Sequence, residues 1–168
     1  MLKFTKQKKT RVDKLYNKIL LLSRNKVFYT KFRLNDTFQN RIILIFLHIS
    51  FLFIKLKQKN KNELYKGFSQ LIFDLIFKKI ELNMREIGYG DTFVNNKMKL
   101  LIITFYNILL SCENYGRKSL KSKYSFLLKY LTLNLDKNCI SNIGVVKYFD
   151  KYQNFCFDLS SDNVLKGD

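Results

Sequence analysis

Few residues in this chain are equipped for acid–base or metal chemistry. His48 is the one imidazole among 168 residues, and an imidazole titrates near neutrality, where it serves as a general base or a metal ligand. Either task needs company: a nucleophile or carboxylate beside a base, further ligands around a metal. His48 instead lies inside "IILIFLHISFLFI", a run of aliphatic and aromatic side chains. That setting predicts a core histidine with both ring nitrogens bonded to a neighbouring helix, the expected partner being an acid or tyrosine from the third or fourth helix. Cys112, Cys139 and Cys156 form no CxxC pair and stand far from His48 along the chain. A zinc site or disulfide framework is therefore unsupported, and the thiols read as small apolar residues in a reducing compartment. No phosphate-binding glycine loop, GxSxG or HExxH occurs, and "GYG" is too short to be a nucleotide fingerprint. No catalytic residue, metal ligand or cofactor is predicted.

The second dense stretch is "MREIGYGD", where Arg85, Glu86 and Asp91 set opposite charges beside Gly88 and Gly90. As a plain helix stop its exposed ion pairs are worth at most about 1 kcal/mol each. As a functional element it is a fixed polar turn that packs on other helices or meets a partner. The residue types slightly favour the plain stop. Lys97 and Lys99 follow as a basic turn, and Lys alternates with aromatics in "VFYTKFR" and "KYSFLLKY", as on some base-stacking surfaces. At helical spacing such aromatics belong to a core, and no RNA-binding module signature accompanies them.

The elements that must position these groups are helical. No Pro occurs, so helix ends fall to Gly, Asn, Asp and Ser. Apolar periodicity predicts a first helix over Asp13–Arg24 and a loop at "VFYTKFRLN". A second helix runs from an Asp36 N-cap, with Gln39 completing a capping-box-like pattern, to Gln58. Three more are predicted over Asn62–Ile87, Asn95–Asn114 and Ser119–Asn134, and a sixth over Val145–Leu159. Gly88 suits the left-handed C′ position of the third helix, and Gly90 is expected to allow a second unusual backbone angle. Hairpin turn signals are missing and the segments are too long for strands, which makes the fold class all-α. One domain of about six helices is expected, with residues 1–11 as a basic flexible N-terminus and 12–168 as the helical domain.

Composition bounds the partners. Ala, Pro and Trp are absent while Ile, Leu, Phe, Lys and Asn abound, a skew typical of A+T-rich coding DNA. With 31 Lys+Arg against 13 Asp+Glu the net charge is +18, which attracts polyanions: nucleic acid, a ribosome or an anionic membrane surface. The basic residues are scattered, as on a solvated face. The run Ile42–Ile54 spans about 20 Å as a helix against a hydrocarbon core of about 30 Å, which favours a buried core helix over a membrane span. The N-terminus lacks the apolar stretch of a secretory signal.

The order of motifs adds a resemblance. "FYTKFRLNDTFQNRIILIFLHISFLFIKLK", then "FDLIFKKIELNMREIGYGD", then "VNNKMKLLIITFY" is similar to the ubiquinol–cytochrome c chaperone family. The matching positions are Asp36, Thr37, Arg41, His48, Leu56, Arg85, Glu86, Gly88, Gly90, Asp91, Lys97, Met98, Lys99, Phe105 and Tyr106. The likeness is good from Leu15 to Tyr106 and looser beyond, where Asn134 and Gly167 resemble family landmarks. Asn107 and Ile108 replace the family's Gly-Arg, Cys112 stands where a Tyr is expected, and Lys79 and Glu81 replace an acidic pair.

The resemblance implies a non-catalytic assembly factor for the cytochrome bc complex that binds newly made cytochrome b or another subunit. It implies work near a ribosome or anionic membrane, with a small partner protein in mitochondrial relatives. The implied place is the bacterial cytoplasm at the inner membrane, or the matrix in a eukaryote. Asp36, Arg41, His48, Arg85, Glu86, Asp91 and Tyr106 are expected to form one polar cluster that locks the second, third and fourth helices beneath a client groove. The competing readings are a ribosome- or RNA-associated basic protein and an enzyme built on a solvent-reached His48.

Overall fold

The structure, a computed structural model, describes residues 2–59, 63–132 and 140–160. Within them the chain is an all-α bundle: α1 (Leu2–Ser23), a single turn α2 (Val27–Thr30), α3 (Phe38–Lys59), α4 (Glu63–Glu86), α5 (Asp91–Glu113), a 3-10 turn (Tyr115–Arg117), α6 (Leu120–Tyr130) and α7 (Ile140–Asp158). The six multi-turn helices are those the apolar periodicity predicts. Their ends move for local reasons. α1 starts at Leu2, well before Asp13, because no Gly or Pro interrupts "KFTKQKKTRV" and Lys and Gln propagate a helix well. α5 starts one turn earlier than expected, with Asp91 in the first turn where its negative charge faces the helix dipole. α6 stops at Tyr130, short of Asn134, and Leu131 is extended at φ −100°, ψ 127°. The expected helix end at Asn134, the Asn134 and Gly167 landmarks and Cys139 lie outside the described residues.

α3 is the centre. From Ile42 to Leu52 every side chain is buried, and α1, α4, α5 and α7 all pack on it. By length and composition Phe38–Lys57 would cross a membrane, yet 83% of its most apolar window is covered by the other helices. An all-round apolar helix satisfies that pattern equally well as the axis of a bundle. Phe46 stacks on Phe77 of α4 and meets Phe105 of α5 edge-on, at ring centroids of 5.4 and 5.3 Å, so one aromatic knot joins three helices. Each such ring contributes about 1.5–3 kcal/mol on burial. On the other side Phe51 and His48 face Phe149 and Tyr152 of α7. The segment read as a loop contains α2, which turns Phe28 into the core against Tyr148 at 4.7 Å.

Charges near the core are tied down. Buried Lys55 donates to the Phe157 carbonyl in the last turn of α7, where helix carbonyls lack intrahelical donors. Lys123 of α6 bonds Asp150 of α7 at 2.8 Å and covers the Tyr115 ring. Cys112 and Cys156 are buried thiols, and burial pushes Cys156 up to about 12. Both behave as the small apolar residues their spacing predicts.

Candidate functional site

The Asp36–Arg41 segment is built from the N-terminus of α3. The cap is Thr37 rather than Asp36: Asn40 N–H donates to Thr37 Oγ1 at 3.2 Å. Asp36 is left to form a two-pronged ion pair with Arg41, at 2.7 Å (Nε–Oδ1) and 2.8 Å (Nη2–Oδ2). The guanidinium bonds hold the Asp36 carboxyl below its usual range. Both side chains are about half exposed, so the pair adds little stability, though it leaves Arg41 in one orientation. Beside it opens a groove of about 350 Å³ that also takes in Tyr16, Arg24, Asn83 and Glu86. Glu86 and Arg41 thus share a wall, as the expected cluster requires.

The rest of that cluster does not assemble. Arg85 turns the other way, bonding Glu81 at 3.0 and 3.1 Å and Asp91 across the interhelical turn. His48 is fully buried beside aromatic rings. Its Nδ1 lies 2.6 Å from the Leu44 carbonyl, which can only accept, so the neutral ring carries its proton there and Nε2 accepts from the Tyr148 hydroxyl at 2.8 Å. The partner is a tyrosine, as expected, but from α7 rather than the third or fourth helix, because α7 is the element laid on this side of α3. Tyr106 lies on the outer side of α5, half exposed, 6.0 Å from the Phe73 ring. Lys97 is half-buried and Lys99 exposed. The candidates therefore divide into an Arg41 groove, an Arg85 turn, a core histidine and an outer helix face, since helices carry residues of one sequence motif to opposite sides.

The two glycines part company as well. Gly88 has φ +99°, its N–H donates to the Arg85 carbonyl at 2.9 Å, and Tyr89 N–H donates to the Met84 carbonyl at 3.2 Å. These two bonds make the Schellman closure of α4, with Gly88 at C′. Gly90, expected to be unusual, is ordinary extended backbone at φ −68°, ψ 156° and serves as N-cap of α5. One substitution should separate them. Gly88→Ser is expected to cost about 1–2 kcal/mol because an L side chain is strained at positive φ. Gly90→Ser, with nothing within 4 Å of the new Cβ, should be neutral or gain a few tenths of a kcal/mol, roughly the N-cap advantage of Ser over Gly. Urea midpoints of the two variants check this, and equal losses would contradict it.

Asn40 was not among the expected site residues. It is fully buried, its amide Nδ2 donates to the carbonyls of Asn35 (2.8 Å) and Thr132 (2.9 Å), and its Oδ1 accepts from Thr132 N–H (2.9 Å). This clamp halts α6, since it claims both backbone groups of Thr132. The signal in the sequence was only a short polar residue at the third helical position.

The described residues thus form an all-α bundle that seals its single histidine from solvent and leaves open grooves and helix faces around a buried core. Comparison with known proteins makes this specific. The family model for ubiquinol–cytochrome c chaperones matches residues 30–167, and the chain belongs to that family. Membership implies a chaperone role in complex III assembly. The crystal structure of the Cbp3 homolog from Brucella abortus has the same fold, with a TM-score of 0.84 and 23% identity over 99% of this chain and 91% of that one. A search of curated proteins finds no match.

Proposed function

We propose that this chaperone is a non-catalytic assembly factor that binds newly made cytochrome b and holds it for incorporation into the cytochrome bc complex. The observation that supports this reading is an open groove of about 370 Å³ between α1, α3 and α7, lined by Leu15, Ile19, Leu22, Leu52, Tyr152 and Phe155. At its mouth Leu21 and Phe155 are 72% and 54% exposed. An apolar groove between helices suits an amphipathic or hydrophobic helix of a client, and a membrane-protein subunit offers such segments before insertion. Among the described residues the only charged side chain on its lining is Lys18, so polar clients gain little there. The place of action is the cytoplasmic face of a bacterial inner membrane, or the matrix if the chain is mitochondrial. There the +18 charge favours a position near ribosomal RNA, and a small partner protein is compatible with the remaining surface.

The test is deletion of the gene, followed by a difference spectrum of the membrane cytochromes. Selective loss of the b-type signal is expected, restored by the wild-type chain but not by a Leu21→Gln, Phe155→Gln variant. Loss of another subunit first, with cytochrome b intact, would move the client to that subunit. Unchanged cytochromes with altered ribosome profiles would replace this reading by the RNA-associated one, which the net charge favours.

A further inference from the structure

The outer side of α5 is apolar where it faces solvent. The helix buries Val94, Leu101, Phe105, Ile108 and Cys112 against the bundle, and the turn opposite carries Leu100, Ile103 and Leu110, 59%, 58% and 62% exposed. Phe93, stacked at 4.6 Å on Tyr89 of the preceding turn, extends this strip at one end, and Tyr106 widens it. From Phe93 to Leu110 the strip runs about 25 Å along the helix at 1.5 Å per residue. Between Asp91 and Glu113 the helix has no acidic residue. Those two terminal acids are occupied, by Arg85 and by Lys57 respectively. Lys97 and Lys99 make no ion pair among the described residues.

We infer that this face of α5 lies flat in the headgroup region of an anionic lipid bilayer and holds the chaperone at the membrane surface. Three observations choose this occupant. The helix cannot cross a bilayer, because its other face is locked into the core, so it can only contribute one side. Exposed Leu and Ile gain nothing from phosphates of RNA but do gain from the acyl boundary of a membrane, while nearby Lys and an overall charge of +18 suit anionic headgroups. A second copy of the chain is disfavoured, since two surfaces of a strongly basic protein repel each other. The strip shares no residue with the lining of the α1–α3–α7 groove, so the inference stands independently of the client.

The experiment is flotation of the full chain with vesicles of phosphatidylcholine alone or with 30% phosphatidylglycerol. The triple variant Leu100→Gln, Ile103→Gln, Leu110→Gln alters only exposed side chains, and an unchanged thermal midpoint verifies its fold. Wild type is expected to float with the anionic vesicles only, and the triple variant to bind them about tenfold more weakly, as the loss of three interfacial aliphatic contacts predicts. Lys99→Gln should weaken binding by a smaller factor and reduce its salt dependence. Equal binding by wild type and triple variant would overturn the inference in favour of diffuse charge attraction. Absence of wild-type binding would overturn it outright. Concentration-dependent dimers abolished by the triple variant, without vesicle binding, would assign the face to a second copy. Loss of cytochrome b by the triple variant with vesicle binding intact would assign it to the client.

Discussion

Acidifying the protein from pH 7 to pH 4 is expected to remove up to about 3 kcal/mol of folding stability through His48 alone, and the His48→Phe variant is expected to lack that loss. Burial lowers the His48 pKa from its ordinary 6.5 to about 4. Between those values the unfolded chain binds a proton that the folded chain refuses, so stability falls as pH falls. The contribution is fully present above about 6.5 and exhausted near 4, and a difference of about 2.5 pH units corresponds to roughly 3 kcal/mol. The chemistry is one-sided: Nδ1 already donates to the Leu44 carbonyl and Nε2 already accepts from Tyr148. A second proton would put a full charge among Phe28, Phe149 and Tyr152, with no carboxylate among the described residues paired to it. Asp36 acts in a lower window, because Arg41 holds its carboxyl below the usual range and its stabilisation is lost only as pH falls further. Urea denaturation at pH 7, 5.5 and 4 separates the two. Parallel slopes in wild type and His48→Phe over pH 6.5 to 4 would show that the imidazole is not the sensor.

Asn40→Ala is expected to destabilise the fold by about 2 kcal/mol, more than any exposed ion-pair substitution. Truncation leaves the Asn35 carbonyl without its side-chain bond and both Thr132 groups without the amide that satisfies them. Two backbone contacts survive, Asn35 N–H to the Thr132 carbonyl at 3.2 Å and Thr37 N–H to the Asn35 carbonyl at 2.9 Å, so the Thr132 N–H alone loses its partner. A buried group in that position costs about 1–3 kcal/mol, and the exposure of Thr132 keeps the loss inside that range. Asn40→Asp should be worse at neutral pH, since a carboxylate would face the two carbonyls that now accept from Nδ2. By contrast Arg41→Gln, which breaks a half-exposed pair, should cost under about 1 kcal/mol. Amide exchange supplies a local check: the Thr132 amide should lose its protection in Asn40→Ala before amides at the centre of α3. A loss under 1 kcal/mol, with Thr132 still protected, would mean that water or a shifted main chain replaces the clamp.

Local patterns determined much of this protein. Helical spacing of Leu, Ile and Phe marked all six long helices, because each apolar stripe is written within a few turns of chain. Gly88 was legible as the stop of α4, since left-handed backbone selects glycine wherever it occurs. The ordered motifs from Asp36 to Tyr106 pointed to the chaperone family because several short signals agree along one chain. Gly90 and Asp36 misled for a related reason: residue type names the conformations and caps a position can adopt, while φ at Gly90 and the winning acceptor at Thr37 depend on how the chain enters the next helix. Tertiary structure alone decided the rest. It gave His48 a partner on α7 and Asn40 a partner beyond α6, contacts between residues 100 and 92 positions apart, where periodicity carries no information. It scattered the expected polar cluster over separate surfaces, because neighbours in a motif leave a helix in different directions. It also left Leu100, Ile103 and Leu110 uncovered: an apolar pattern records that a face avoids water, and only the packing of the other helices decides which face is left for something else to cover.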